Sequence, residues 1–253
     1  MTHKPWLKHY EPGVPPTLEY PQEPVFHFLE ETARKYPHNA CTVFQDKMIS
    51  YQQMDVLSNI LAAAIVDMGV HKGDRVALFM PNLPQFVLAF FATLKAGGTV
   101  VAINPTYKER EILFQLNDSG AVMLIGLSSA QSLLETIQPQ TNVRQMIFSE
   151  IQDAFELPAL AEKGASTSPE AAGSSVDPDS GDHLTLLDLL AHYSGAERPD
   201  VGVTGDDVAI FQYSGGTTGV PKAAIGLHRN LVANIIQFRH LLRVLKEGEQ
   251  TFI

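Results

Sequence analysis

An α/β protein with a mostly parallel sheet and helices on both faces is the fold class this sequence predicts. From Asp74 to Phe148, short β-branched apolar runs alternate with stretches of helical apolar spacing. That alternation favours parallel strands joined by crossover helices. Glycines and prolines fall between the runs, where turns are needed. With 253 residues, 45% of them hydrophobic and 18% charged, the chain can bury a core without disulfide or metal staples.

Taken in order, the first 24 residues carry six prolines and read as an extended arm over residues 1–23. PVFHFLEETARKY follows with helical spacing and a proline suited to a first turn. ACTVFQ and KMIS, separated by a polar turn at Asp46, predict a hairpin. Ser50 is placed to cap a helix from Tyr51 to Met68, which Gly69 ends. DRVALFM then reads as a strand and LPQFVLAFFATLKAG as a helix stopped at Gly97–Gly98. GTVVAIN is a strand, YKEREILFQLND a helix closed by Gly120, and AVMLIG a strand. SSAQSLLETIQ is a helix, begun by Ser128 or Ser129 as a cap, and RQMIF a strand. Glu162 to Asp182 is small, polar and rich in Pro and Gly apart from Val176, which predicts a loop or linker inserted in the domain. TLLDLLAHY resumes as a helix and DDVAIFQYS as a strand, with Asp206 and Asp207 capping or solvating its entrance. PKAAIGLHRNLVANIIQFRHLLRVLK passes from strand to helix. Gln250 to Ile253 reads as the beginning of a buried strand with no cap behind it. The expectation is therefore the front part of a longer protein, with residues 24–253 as one incomplete domain.

Composition excludes several functions. A net charge of −10, from 18 Lys+Arg against 28 Asp+Glu, argues against a general nucleic-acid surface. The single cysteine, Cys41, has no internal disulfide partner and is expected to pack in the core. The longest nearly uncharged apolar run, Phe86–Leu94, is nine residues, against the roughly 20 a spanning helix needs. The N-terminal stretch has no apolar signal-peptide core, so a cytoplasmic location is expected. No HExxH and no clustered Cys/His spacing occurs, so no metal site is assignable.

The segment that carries chemistry is YSGGTTGVPKAAIG, Tyr213 to Gly226. Gly215, Gly216 and Gly219 let the backbone approach a ligand without a Cβ in the way. Ser214, Thr217 and Thr218 add hydroxyls, and Lys222 adds a mobile cation. Together these suit a polyphosphate. The segment is no Walker A loop: Val220 and Pro221 separate Gly219 from Lys222, and Ala223 stands where Ser or Thr is required. Pro221 also makes Lys222 begin a strand rather than a helix.

The order Ser-Gly-Gly-Thr-Thr-Gly-Val-Pro-Lys resembles the phosphate loop of the AMP-forming adenylating enzymes, among them acyl-CoA synthetases, luciferases and peptide-synthetase adenylation domains. Tyr213, Gly216, Thr217, Thr218, Gly219, Pro221 and Lys222 match that pattern. Ser214 replaces a threonine, Gly215 a serine and Ala223 a glycine. KPWLKHYEPGVP, the stretch from Gly73 to Tyr107, REILFQLNDSGA and LHRNLVAN look like long-chain fatty-acid–CoA ligases. The resemblance implies the front half of the large N-terminal domain of that fold. It implies ATP, Mg2+ and CoA as co-substrates and a medium- to long-chain fatty acid as the acid activated. It also implies that Tyr213, Ser214, Gly215, Gly216, Thr217, Thr218, Gly219 and Lys222 hold the ATP phosphates, with Lys222 stabilising departing pyrophosphate. The residues for adenine, ribose and Mg2+ and a C-terminal lysine would follow later in such an enzyme, so this chain alone is expected to be inactive. An aryl- or amino-acid-activating ligase, or a non-catalytic remnant, are the alternatives.

Three further features have competing readings. His228 stands near a helix start, either on the substrate side or in a surface or capping role. Lys222 to Lys246 holds five Lys/Arg and no acid. Leu231, Ile235, Phe238, Leu242 and Leu245 lie at helical spacing there, which suits either a helix resting peripherally on a membrane or one packed on the sheet. GLSSA, Gly126 to Ala130, faintly resembles a nucleophile elbow but lacks its last glycine and placed partners.

Overall fold

The computed structural model describes residues 4–166, 184–214 and 221–241. Described strands are β1 (Ala40–Phe44), β2 (Lys47–Ser50), β3 (Arg75–Phe79), β4 (Thr99–Ala102), β5 (Met123–Leu127), β6 (Gln145–Ser149), β7 (Leu184–Thr185), β8 (Val208–Ser214) and β9 (Lys222–Leu227). The helices are α1 (His27–Lys35), α2 (Tyr51–Asp67), α3 (Pro84–Lys95), α4 (Glu109–Ser119), α5 (Gln131–Ile137), α6 (Leu157–Ser166), α7 (Leu186–His192) and α8 (His228–Leu241). β1 and β2 pair as an antiparallel hairpin, while the other seven strands form one sheet in the order β7-β6-β5-β3-β4-β8-β9. Every neighbouring pair in that sheet is parallel except β8–β9.

The central parallel strands are buried on both faces, as the core of a parallel sheet must be. One face packs Val76, Leu78, Val100 and Ile125 against α2, α3 and α7. The other packs Ala77, Phe79, Val101 and Leu124 against α4 and α5. Each fully buried Leu or Ile contributes about 1.5–3 kcal/mol of transfer free energy, so the continuous apolar strands are the main stabilising feature. Order reverses at β3, with β4 on one side and β5 on the other, which opens a crevice at the strands' carboxyl ends.

Local chemistry explains the boundaries. Ser50 Oγ accepts the Gln53 N–H at 3.2 Å while Gln53 Oε1 accepts the Ser50 N–H at 2.9 Å, a reciprocal cap on α2. Gln45 and Asp46 both have positive φ, 46° and 65°, so the predicted turn at Asp46 is a two-residue hairpin turn. Gly120 closes α4 at φ 63°. Arg75 donates to the freed carbonyls of Ser119 (2.8 Å) and Gly120 (2.9 Å) there.

The structure departs from the sequence reading at several points. α1 begins at His27, because residues 24–26 form a turn in which Pro24 O accepts the His27 N–H. α5 is headed by Ala130 with no side-chain cap, and Ser128 and Ser129 lie in a short 3-10 turn before it. Residues 162–166 of the expected insert are the end of α6, whose Ala161 and Gly164 are buried. The rest of the insert, like residues 242–253, lies outside the described residues. The arm is mostly exposed, yet its end is strapped down. Gln237 Nε2 donates to Tyr20 Oη at 2.8 Å, and a Cβ on Gly205 would sit 2.5 Å from Gln22 O. Cys41 is half-buried, and burial pushes its thiol up to about 12.

One buried charge ties α2 to α3. Lys95 is fully buried, and its Nζ donates to Asp55 Oδ1 (2.6 Å), Asn59 Oδ1 (2.7 Å), Ser58 Oγ (2.9 Å) and Asp55 O (3.3 Å). Burial lowers its pKa, and Asp55 opposes that shift. Asp55 keeps 23% side-chain exposure and can rehydrate, whereas Lys95 at 0% cannot. Asp55→Ala therefore strands an ammonium in the core, and breaking such a pair costs about 3–5 kcal/mol. Lys95→Met is predicted to cost less. Urea unfolding of both variants checks the order; equal losses, or a larger loss for Lys95→Met, contradict it.

Candidate phosphate site

β8 and β9 form the antiparallel edge of the sheet, and the Gly/Thr segment joins them. β8 runs parallel to β4, with Val100 opposite Ile210 and Val101 opposite Phe211. The joining segment therefore leaves from the carboxyl ends of the parallel strands, where open α/β sheets take their ligands. At the base of the hairpin Ser214 pairs with Lys222 and Tyr213 with Ala223, without irregularity from Ile210 onward. Cross-strand partners share a face and successive residues alternate. Ser214 and Lys222 thus project from one face, both exposed, and Tyr213 from the other.

Of the residues singled out from the sequence, the structure brings together Tyr213, Ser214 and Lys222. Gly215, Gly216, Thr217, Thr218 and Gly219 lie outside the described residues. Tyr213 is turned toward α4. Its hydroxyl donates to Asp118 Oδ2 at 2.6 Å, and its ring meets Phe114 edge-on with centroids 6.5 Å apart. Burial first, then the bond to Asp118, raises its pKa. Sequence reasoning missed Asp118, which no motif marks and which lies 95 residues before its partner.

His228 is not with this group. It follows β9 at the opposite end from Lys222, about 20 Å away at strand rise. It is 1% exposed, and its Nδ1 accepts the Val25 N–H at 3.2 Å. Its ring packs edge-on against Phe26 at 5.9 Å, and its own N–H donates to Asp207 O. Burial pushes its pKa down to about 4, with Asp207 pulling the other way. The geometry makes it a pin between the N-terminal segment and α8.

The amino ends of the strands hold a second concavity, of about 400 Å³, lined by Lys72, Arg75, Thr99, Asp206 and Asp207 among others. Its charges are internally paired. Lys72 Nζ binds Asp207 Oδ2 (2.8 Å) and Gly202 O (2.7 Å), and Arg229 pairs with Asp206. Asp207 also accepts the Thr204 N–H at 2.7 Å, the capping role expected of it. Among the described residues no group of three or more His, Cys, Asp or Glu is arranged to hold a metal ion.

The family model described as AMP-binding enzyme matches residues 29–252. This chain belongs to that family. It is 32% identical over 253 residues to a long-chain-fatty-acid–CoA ligase of Salmonella typhimurium, covering 93% of this chain and 42% of the relative. It is 34% identical over 242 residues to a long-chain-fatty-acid–CoA ligase of Yersinia pestis, covering 92% and 42%. The crystal structure of a long-chain-fatty-acid–CoA ligase from Archaeoglobus fulgidus superposes with a TM-score of 0.72 at 23% identity, over 95% of this chain and 43% of that one. That last likeness shows the fold. The chain spans about 42% of the length of the curated relatives it matches.

The burial of His228 in this family member has a pH consequence. Its folded pKa, about 4, lies below the unfolded value of about 6.5, so the unfolded chain binds the proton first as pH falls. Its contribution to stability is complete above about 6.5 and is lost down to about 4. Urea midpoints measured from pH 7 to pH 4 are predicted to fall more steeply for wild type than for His228→Gln. Parallel profiles contradict the assignment.

Proposed function

We propose that this chain supplies the phosphate-gripping part of an enzyme that activates a medium- to long-chain fatty acid with Mg–ATP and passes the acyl group to CoA. The observation that carries the proposal is the base of the β8–β9 hairpin. A hydroxyl and an ammonium are paired in register there, on one face, flanking GGTTGVP. A fatty-acid carboxylate oxygen attacks the α-phosphorus, and the bond to the α,β-bridging oxygen breaks with its electron pair leaving on pyrophosphate. The CoA thiol then attacks the acyl carbon, AMP departs, and the thiol proton is released. Negative charge grows on the β- and γ-phosphates in the first step. Donors fixed beforehand stabilise it without reorganising. Lys222 and Ser214 do so from the hairpin ends. Gly215, Gly216, Thr217, Thr218 and Gly219 are proposed to supply backbone and hydroxyl donors between them.

Mg2+ is proposed to travel with the nucleotide, and the enzyme to work in the cytoplasm. The long-chain reading is favoured over an aryl- or amino-acid ligase by the names of the relatives at 32% and 34% identity. In the complete enzyme, Lys222→Ala is predicted to slow the pyrophosphate burst by about 100-fold, the usual size for removing one such donor. Binding of the fatty acid should stay unchanged. A wild-type burst in a rapid-quench experiment contradicts the role of Lys222.

A membrane surface is the proposed partner of α8. Its buried residues are His228 and Val232, and Leu231 and Ile236 pack partly against the same core, while its later apolar positions turn outward. Ile235 (43%), Phe238 (48%) and Leu241 (60%) are exposed beside Arg239 and His240, with no acid on the helix. No helix among the described residues is long and apolar enough to cross a membrane, so the contact would be peripheral. Flotation with vesicles containing phosphatidylserine should carry the protein, and Phe238→Glu should abolish it. Equal flotation of both proteins, or none of wild type, contradicts the contact.

A further inference from the structure

The contact between Tyr213 and Asp118 has no counterpart in the loop motif, and its setting is unusual. Asp118 lies in the last turn of α4, where the partial negative charge of the helix end disfavours a carboxylate. α4 would hold better with a neutral or basic residue at that point. The carboxylate is engaged instead by a phenolic O–H at 2.6 Å, the short range of a charge-assisted bond. Its base is firm: Arg75, the first residue of the central strand β3, clamps the carbonyls of Ser119 and Gly120 next to it. The Phe114 ring, one turn back on α4, braces the tyrosine ring from the side.

Tyr213 immediately precedes Ser214, and its cross-strand partner Ala223 immediately follows Lys222. Holding the phenol on the α4 face fixes which face Ser214 and Lys222 take, because side chains alternate along each strand. Among the described residues this hairpin lies at the sheet edge, where β9 pairs with β8 alone and twist and register are least constrained.

We propose that Asp118 is a positioning residue that acts through Tyr213 to hold Ser214 and Lys222 in register at the phosphate site. The proposal rests on the reading of that site given above. It gives the motif tyrosine a mechanical role: its hydroxyl faces away from the ligand and anchors the hairpin to a helix crossing the opposite face of the sheet.

The test uses the full chain and inorganic pyrophosphate as probe, with amide hydrogen exchange at residues 213–214 and 222–223. Asp118→Ala and Tyr213→Phe should each speed exchange at those amides and weaken pyrophosphate binding about tenfold, the loss of one hydrogen bond to a charged group. The double variant should lose no more than either single one, since both remove the same bond. Asp118→Asn keeps an oxygen acceptor and should bind within about twofold of wild type. Tyr213→Phe retains the ring against Phe114 and guards against a mere folding defect. Wild-type exchange at Ser214 and Lys222 in Asp118→Ala overturns the positioning role, as does a double variant whose losses simply add. Lys222→Ala separates the two ideas: unchanged pyrophosphate binding there, with faster exchange in Asp118→Ala, removes the phosphate reading and leaves the mechanical coupling standing.

Discussion

The parallel pairing of β8 with β4 is the constraint on which the candidate site depends. A two-stranded hairpin alone is marginal in water. Here it is attached to the sheet through Ile210 and Phe211, alongside fully buried Val100 and Val101. A slip of one residue would turn every side chain of β8 to the other face. Ser214 would then face α4, and Tyr213 would lose both Phe114 and Asp118. The apolar interior therefore sets where the polar groups of the site point, although none of those groups belongs to it.

Two of the polar groups inside the fold tie distant elements together. Lys95 is held by oxygens of three residues on α2, and His228 by one backbone N–H and an aromatic edge. Both join elements far apart in sequence, and neither faces the carboxyl end of the sheet. They specify how α3 meets α2 and how the N-terminal segment meets α8. By contrast, the charged groups at the amino ends of β3, β8 and α8 neutralise one another close to solvent, where such pairs add little stability.

The two ends of the sheet thus have different characters. At the amino end, Lys72, Asp206, Asp207 and Arg229 close on themselves, and Thr99 Oγ1 donates to Val208 O to hold β4 against the start of β8. At the carboxyl end, Ser214 and Lys222 are exposed, with Tyr213 anchored on the opposite face. The role proposed for them in gripping a multiply charged ligand asks for such an arrangement. Donors must be held in place yet not already satisfied, because desolvating a satisfied pair would cancel the gain on binding.

What the sequence determined by itself is the fold class and most of the order of elements, and it marked out the candidate loop. Each rests on local information: period-two and period-3.6 patterning, the cap at Ser50, the stop at Gly120, and a nine-residue string from Ser214 to Lys222 whose residue types already suit phosphate. α6 escaped notice because LPALAEKGAS runs into a polar stretch and has few apolar positions of its own, so its helix is supported by packing on α2. Tertiary structure alone decided which histidine and which aspartate matter, and how. His228 reads in the sequence as a substrate-side, surface or capping residue, but burial against Phe26 makes it a pin. Asp118 reads like any helix-end acid until the sheet brings Tyr213 across 95 positions to meet it. Which way the stripe on α8 faces was likewise set by the packing of Val232 and Ile236 rather than by helical spacing. Periodicity says that a face exists, and only the three-dimensional neighbours say what lies against it.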